Sequence, residues 1–191
     1  MTDLKRVVVV YHSGTGHTKA IAESVVKGSA MVDGVDAQLL CVDDVPAIEG
    51  DGAGQVAWEM LNGADAIVFG SPTYMGTVSA AFKGFMDATG ALWFTRAWMD
   101  KLAGGFTVGG GLAGDKQSTL AAMQVFASQH GMVWVSMGIG VGEAGIDRLG
   151  SSIGMMAQAD DGPAEVTPPA EDHATAQRFG ERVGKAAVRW G

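Results

Sequence analysis

Ser13-Gly14-Thr15-Gly16-His17-Thr18 stands directly after the apolar run Val7-Val8-Val9-Val10-Tyr11 and directly before a helical pattern. Gly14 and Gly16 let the backbone turn tightly and approach a ligand, and the first N–H groups of the helix lack intrahelical partners. With the positive end of the helix dipole behind them, those amides suit a phosphate. Ser13, Thr15 and Thr18 add hydroxyl donors, whereas the nearest cation is Lys19, already inside the helix. Hydrogen bonds rather than ion pairing would therefore hold the anion. The spacing fits neither the P-loop pattern nor the dinucleotide fingerprint, because Gly14-x-Gly16 is followed by His17, Thr18 and Lys19. A terminal monophosphate suits the loop better than a pyrophosphate. A Ser/Gly turn that merely caps the first helix is the alternative this segment leaves open.

Two further stretches have the composition of ligand loops. Ser71-Pro72-Thr73-Tyr74-Met75-Gly76-Thr77 and Val108-Gly109-Gly110-Gly111-Leu112-Ala113-Gly114 contain no formal charge. Glycine amides, an aromatic ring and a methionine together can wrap a flat, mostly apolar ring that carries carbonyl and nitrogen acceptors. A flavin is such a ring, and flavin mononucleotide (FMN) ends in a monophosphate. Taken alone, Tyr74-Met75 also fits ordinary core packing. Gly109 to Lys116 nearly matches a P-loop, but Asp115 stands where its lysine is required.

These loops need a frame, and the chain supplies one by alternating apolar runs with helical patterns. Strands are expected at about 5–11, 36–42, 65–71, 103–109 and 132–137. Several are apolar throughout, as parallel strands covered on both faces must be. Strands joined by helices give an α/β doubly wound sheet, whose ligands sit beyond the carboxyl ends of the strands. Ala22, Val25, Val26 and Ser29 mark one helix face, and Phe82, Phe85 and Met86 mark another after a Ser79 cap. Ala176, Phe179, Val183, Ala187 and Trp190 do the same for the last helix. Leu120 to Ala127 is apolar nearly all round, which points to a subunit interface or to a helix buried by its own chain. Residues 138–170 show no periodicity and are expected as a long irregular loop that closes over a ligand or reaches a neighbouring subunit.

The 191 residues are expected to form a single domain, 1–191, with a sizeable core. A net charge of −8 without a basic stripe argues against nucleic acid as a partner. Cys41 is the sole cysteine and reads as an inert thiol at a strand end. No apolar stretch is long enough to cross a bilayer, and the chain reads as soluble and cytoplasmic. No metal site is expected.

The loop Ser13–Thr18, the Ser71–Gly76 turn and the glycine-rich third loop together resemble the flavodoxin-like family. Within it the chain is most similar to the tryptophan-repressor-binding-protein type of NAD(P)H:quinone oxidoreductase. The similarity extends to Ala88-Thr89-Gly90-Ala91-Leu92-Trp93, Lys101-Leu102-Ala103 and His130-Gly131-Met132-Val133. The resemblance implies a flavodoxin-like three-layer fold with five parallel strands in the order 2-1-3-4-5, and bound FMN. It also implies a homo-oligomer, dimer or tetramer, with active sites near subunit contacts. Its activity would be a two-electron, ping-pong reduction of a quinone or similar flat acceptor by NADH or NADPH.

Carried over position by position, Ser13, Gly14, Thr15, Gly16, His17 and Thr18 would hold the phosphate. Pro72, Thr73, Tyr74, Met75 and Gly76 would line the ring. Val108, Gly109, Gly110, Gly111, Leu112, Ala113 and Gly114 would hydrogen-bond it. His130 matches a flavin-contacting histidine and Trp93 a tryptophan on the substrate side, with Trp98 as a further apolar wall. As residues, His130 equally fits a helix cap and Trp93 an interface position. The chain departs from the family at Tyr74 and Met75, where arginine and phenylalanine are usual, and at Thr15, where tyrosine is common. Two rivals remain: a non-enzymatic flavodoxin electron carrier, which usually rings its flavin with carboxylates, and a flavin-binding regulatory protein.

Overall fold

The structure, a computed structural model, describes residues 4–45, 53–139 and 145–190. Strand β1 (Lys5–Tyr11) lies at the centre of a parallel sheet, between β2 (Val35–Cys41) and β3 (Ala66–Tyr74). β3 in turn pairs with β5 (Leu102–Gly109), and a two-residue strand β4 (Thr77–Val78) folds back antiparallel on the end of β3. Beyond β5 the sheet is completed by two short strands, β6 (Val133–Trp134) and β7 (Met155–Gln158). The path β2-β1-β3-β5-β6 is the expected order 2-1-3-4-5, once the β4 hairpin is set aside.

The parallel strands are apolar because both faces are covered. Val7 and Val9 point into one buried cluster with Val25, Phe106 and Phe179. Val8 and Val10 point into the other with Phe69, Phe82, Trp98 and Phe126. Helix α1 (His17–Ala30) and the last helix, α6 (Ala170–Trp190), cover the first face. Helices α2 (Ala53–Asn62), α3 (Ala80–Ala88) and α5 (Lys116–Gln129), with the short α4 (Gly90–Phe94), cover the second. α1 and α6 cross backbone to backbone: a Cβ on Gly28 would collide with the Gln177 carbonyl, and Ser29 Oγ donates to the Gly180 carbonyl at 3.0 Å. Ser79 caps α3 by accepting from the Phe82 N–H.

Two expectations change, and one open alternative is decided. The fifth strand does not run through 132–137, because only Val133 and Trp134 keep the ladder. Downstream, the Met137 N–H donates to the Ser152 carbonyl and Arg182 Nε to the Ser136 carbonyl, so the chain leaves the sheet. The stretch expected as an irregular loop supplies the missing half: Met155–Gln158 returns beside Phe106–Gly109, with Met155 and Ala157 fully buried. Residues 140–144 of that stretch lie outside the described residues. Finally, α5 is covered by its own chain on the face of Leu120, Met123, Phe126 and Ala127, while Val125 stays exposed. No helix among the described residues is long and apolar enough to cross a membrane.

Candidate functional site

The winding direction reverses between β1 and β3, and the loops leaving those strands meet there with the loop after β5. They enclose a cavity of about 640 Å³, within the range of cofactor sites. Thr15, His17 and Thr18 line it from the first loop, Pro72, Thr73 and Tyr74 from the second, and Val108, Gly109 and Gly110 from the third. A fourth wall comes from Ala159 to Pro163 after β7, part of the 138–170 stretch expected to close over a ligand, though the sequence does not single these residues out. Its signal was weak because the strand that delivers it has four residues between glycine-rich segments.

The first loop is shaped by its own hydroxyls. Gly16 adopts a left-handed φ of 92°, a conformation that glycine takes without strain. Ser13 Oγ accepts from the N–H groups of Gly16 and Lys19, at 3.1 and 3.2 Å, and so ties the loop across the helix start. The other amides of the first helical turn have no intrahelical partner, so they remain as donors. His17 bridges outward: its Nδ1 is 2.9 Å from Thr15 Oγ1, and its Nε2 is 2.8 Å from the Gly162 carbonyl. That bond ties the fourth wall to the first.

Tyr74 closes the cavity from the second loop. Far from being an open turn, Ser71 to Thr77 extends β3 as far as Tyr74 and then reverses through Met75 and Gly76, with φ of 48° and 80°. Two positive φ values in a two-residue connection make the tight hairpin that suits strand twist. The Thr73 hydroxyl, 2.8 Å from the hydroxyls of both Thr107 and Thr119, fixes the strand end below. Thr107 Oγ1 passes the chain on to the Ser71 carbonyl at 2.7 Å.

The third loop is braced from within by a residue that the sequence reading passed over. Lys116 follows the left-handed Asp115 as the first residue of α5 and is fully buried. Its Nζ donates to the carbonyls of Gly111 and Leu112, and its stem lies under Gly109. Gln158 Nε2 holds the Gly110 carbonyl at 3.0 Å from the other side. Gln158 is itself placed by Asp172, whose Oδ2 accepts from the Gln158 N–H at 2.8 Å and which pairs with Arg148 through both oxygens, at 2.6 and 2.8 Å. Burial pushes the Lys116 amine below the usual lysine range, against the pull of Asp172. Behind the first loop, burial and the Cys41 thiol push the Tyr11 phenol up to about 12, so it stays neutral.

Not every expected residue reaches the cavity. Ser13, Gly14 and Gly16 do not line it, although Ser13 shapes the loop that does. Met75 is fully exposed at the hairpin tip, beside Gly76. Gly111 packs on Gly114, and Leu112 and Ala113 face a separate hollow with Ser151 and Ile153. His130 and Trp93 come together elsewhere, in a pocket of about 320 Å³ with Phe94 and Met99. There His130 is the C-cap of α5, its Nε2 is 2.9 Å from Thr89 Oγ1, and its ring packs on Trp98 and Phe126. Burial holds the imidazole below the ordinary histidine range. Trp98 is corrected from acceptor wall to core: it is fully buried and its Nε1 donates to Asn62 Oδ1 at 2.9 Å. None of the cations Lys83, Arg96 and Lys101 lines the cavity. Among the described residues no group of side chains forms a metal cluster.

The fit to FMN rests on these features. The cavity offers hydroxyls and free amides at a helix start, an aromatic ring and glycine backbone on its walls, and a first loop packed closely on Tyr74 at Gly14, where a Cβ would sit 2.5 Å from Tyr74 Oη. The two carboxylates on its wall, Asp160 and Asp161, are solvent-exposed, and Asp160 Oδ1 is occupied by the Gly162 N–H at 2.9 Å.

A parallel sheet with helices on both faces and a phosphate-type cradle at its switch point defines a flavodoxin-like protein. The model of the family described as NADPH-dependent FMN reductase matches residues 6–144, and the chain belongs to that family of FMN-dependent NAD(P)H oxidoreductases. Flavodoxin FldP of Pseudomonas aeruginosa is 40% identical over 188 residues, covering 95% of this chain and 96% of the relative. An NAD(P)H dehydrogenase (quinone) of Geobacter sulfurreducens is 32% identical over 199 residues, covering 96% and 98%. The solved WrbA-like flavodoxin of Agrobacterium tumefaciens superposes with a TM-score of 0.75 at 38% identity, covering 98% of this chain and 99% of that one.

Proposed function

We propose that the chain is an FMN-dependent oxidoreductase that reduces quinones or similar flat acceptors with NADH or NADPH. The observation that carries this reading is the meeting of three uncharged loops on one cavity of about 640 Å³ at the sheet's switch point. Bound there, FMN would supply two-electron exchange with a reduced nicotinamide and with the acceptor. Ser13 shapes the phosphate loop, while Thr18 and the first amides of α1 donate to the phosphate and Thr15 orients the His17 ring beside it. The Tyr74 ring and the Gly109–Gly110 backbone bracket the flat ring, and amides on its polar edge favour added negative charge. His17, bonded to the Gly162 carbonyl, keeps the fourth wall closed against water. The protein's task is to hold flat rings in contact, an effect of position more than of acid or base.

Trp93, Phe94 and Met99 are exposed and form an apolar surface around the His130 pocket. We assign this surface to contact with a second copy of the chain, in a dimer or tetramer, and place the stacking of the acceptor on Trp93 there.

The electron-carrier reading draws support from the relationship to Flavodoxin FldP and from Asp160 and Asp161 on the cavity wall, carboxylates that a basic partner protein would meet. One experiment separates the two. The purified protein, reconstituted with FMN, is mixed with NADH or NADPH with and without a soluble quinone. Rapid oxidation of the nicotinamide only when quinone is present supports the enzyme; reduction that requires an added reductase protein supports the carrier. A protein that stays colourless after incubation with FMN defeats both.

A further inference from the structure

Lys116 is a fully buried lysine whose charge the function described above does not use. Its acceptors are two main-chain carbonyls, Gly111 and Leu112, and among the described residues it makes no ion pair. The nearest carboxylate influence is Asp172, but both oxygens of Asp172 are engaged by Arg148 and one also by the Gln158 N–H. An ammonium buried without a counterion of its own is costly, and a loop brace alone does not require one, since a neutral donor can satisfy the same carbonyls. The cost is relieved by negative charge nearby. The open side of this backbone is the cavity: Gly109 and Gly110 line it, and a Cβ on Gly109 would stand only 3.4 Å from Lys116 Cε.

We propose that Lys116 is a positioning residue that holds a fixed positive charge behind the Gly109–Leu112 backbone, so that the cavity favours the electron-rich, reduced form of the flavin over the oxidised form. This rests on the reading of the cavity as an FMN site. Lys116 touches no ligand; it acts through the backbone it braces and through its field, which weakens little in a water-excluded setting. The charge and the brace can be told apart. A brace shapes the loop for both forms of the flavin alike, whereas a charge discriminates between them.

The test titrates the apo-protein with FMN and, anaerobically, with dithionite-reduced FMN, in the wild type and in the variants Lys116→Met, Lys116→Gln and Lys116→Arg, with the melting curve of each apo-protein as a check on folding. In the Met and Gln variants the ratio of reduced to oxidised affinity should fall about tenfold, which a two-electron couple reads as a midpoint about 30 mV more negative. Lys116→Arg, which keeps the charge, should leave the ratio unchanged. If the Met variant does not fold, the contrast between Gln and Arg decides. Equal loss of affinity for both forms in the neutral variants, or the same change of ratio in Lys116→Arg, overturns the proposal while FMN binding by the wild type stands. A wild type that binds neither form overturns the FMN reading, and the role of Lys116 falls with it.

Discussion

The hydroxyl of Tyr74 rests against the backbone of Gly14, so that a Cβ at Gly14 would sit 2.5 Å from Oη but 3.5 Å from Cζ. The hairpin after β3 and the loop after β1 are thereby fitted to each other at one phenolic oxygen. Gly14→Ala should push the Tyr74 ring aside and weaken FMN binding by about tenfold, roughly 1.4 kcal/mol. Tyr74→Phe removes the clashing atom and should restore most of the loss. Fluorescence titration of the two single variants and the double variant gives the coupling; additive losses would show that the two loops do not meet.

Thr119 is fully buried, and its hydroxyl holds Thr73 at 2.8 Å. Thr119→Val keeps the volume but deletes one partner from the Thr73–Thr107 hydroxyl chain. The expected cost is about 1–3 kcal/mol of stability in urea unfolding. A variant as stable as the wild type would mean that the chain carries no net stabilisation.

Asp172 is 1% exposed and depends on Arg148 for its charge partner. Arg148→Met leaves that carboxylate uncompensated and should cost about 3–5 kcal/mol. Replacing both, as Arg148→Met with Asp172→Asn, should be milder than the single change. Denaturant midpoints of the two proteins check the order, and the reverse order would refute the coupling.

His130 gives stability a pH dependence of predictable sign. Burial lowers its folded pKa below the ordinary 6.5, so the unfolded chain takes up a proton that the folded one resists. The contribution is fully present above pH 6.5 and is lost as pH falls through the lowered folded value. His130→Gln should flatten the decline of melting temperature between the neutral and mildly acidic ranges. An unchanged acid slope would place its source in other groups.

Local chemistry made part of this molecule legible in advance. The parallel, doubly wound sheet followed from continuous apolar runs joined by amphipathic helices, since parallel strands must be apolar on both faces and crossovers need helices, whereas the strand order came from the resemblance to the flavodoxin-like family. The tight, hydroxyl-tied turn proposed as the phosphate cradle followed from glycines and hydroxyls at the junction of β1 and α1, and the Ser79 cap from its place before Phe82. These features are properties of neighbours in sequence, and each has a composition that few other conformations use.

What the tertiary structure alone decided lies where partners are distant in the chain. The short β7 takes its identity from pairing with Phe106–Gly109, not from its own four residues. Asp160 to Pro163 reach the cavity only because β7 delivers them there. His130 and Trp93 carry the same residue types as ligand contacts, yet within the chain they close a different pocket, because α5 ends against α4 away from the switch point. Lys116, written in the sequence as an ordinary lysine beside an aspartate, becomes a buried cation only when the third loop folds over it. Pattern and spacing fix what a segment can form by itself; burial, pairing and electric field depend on which remote segments arrive beside it.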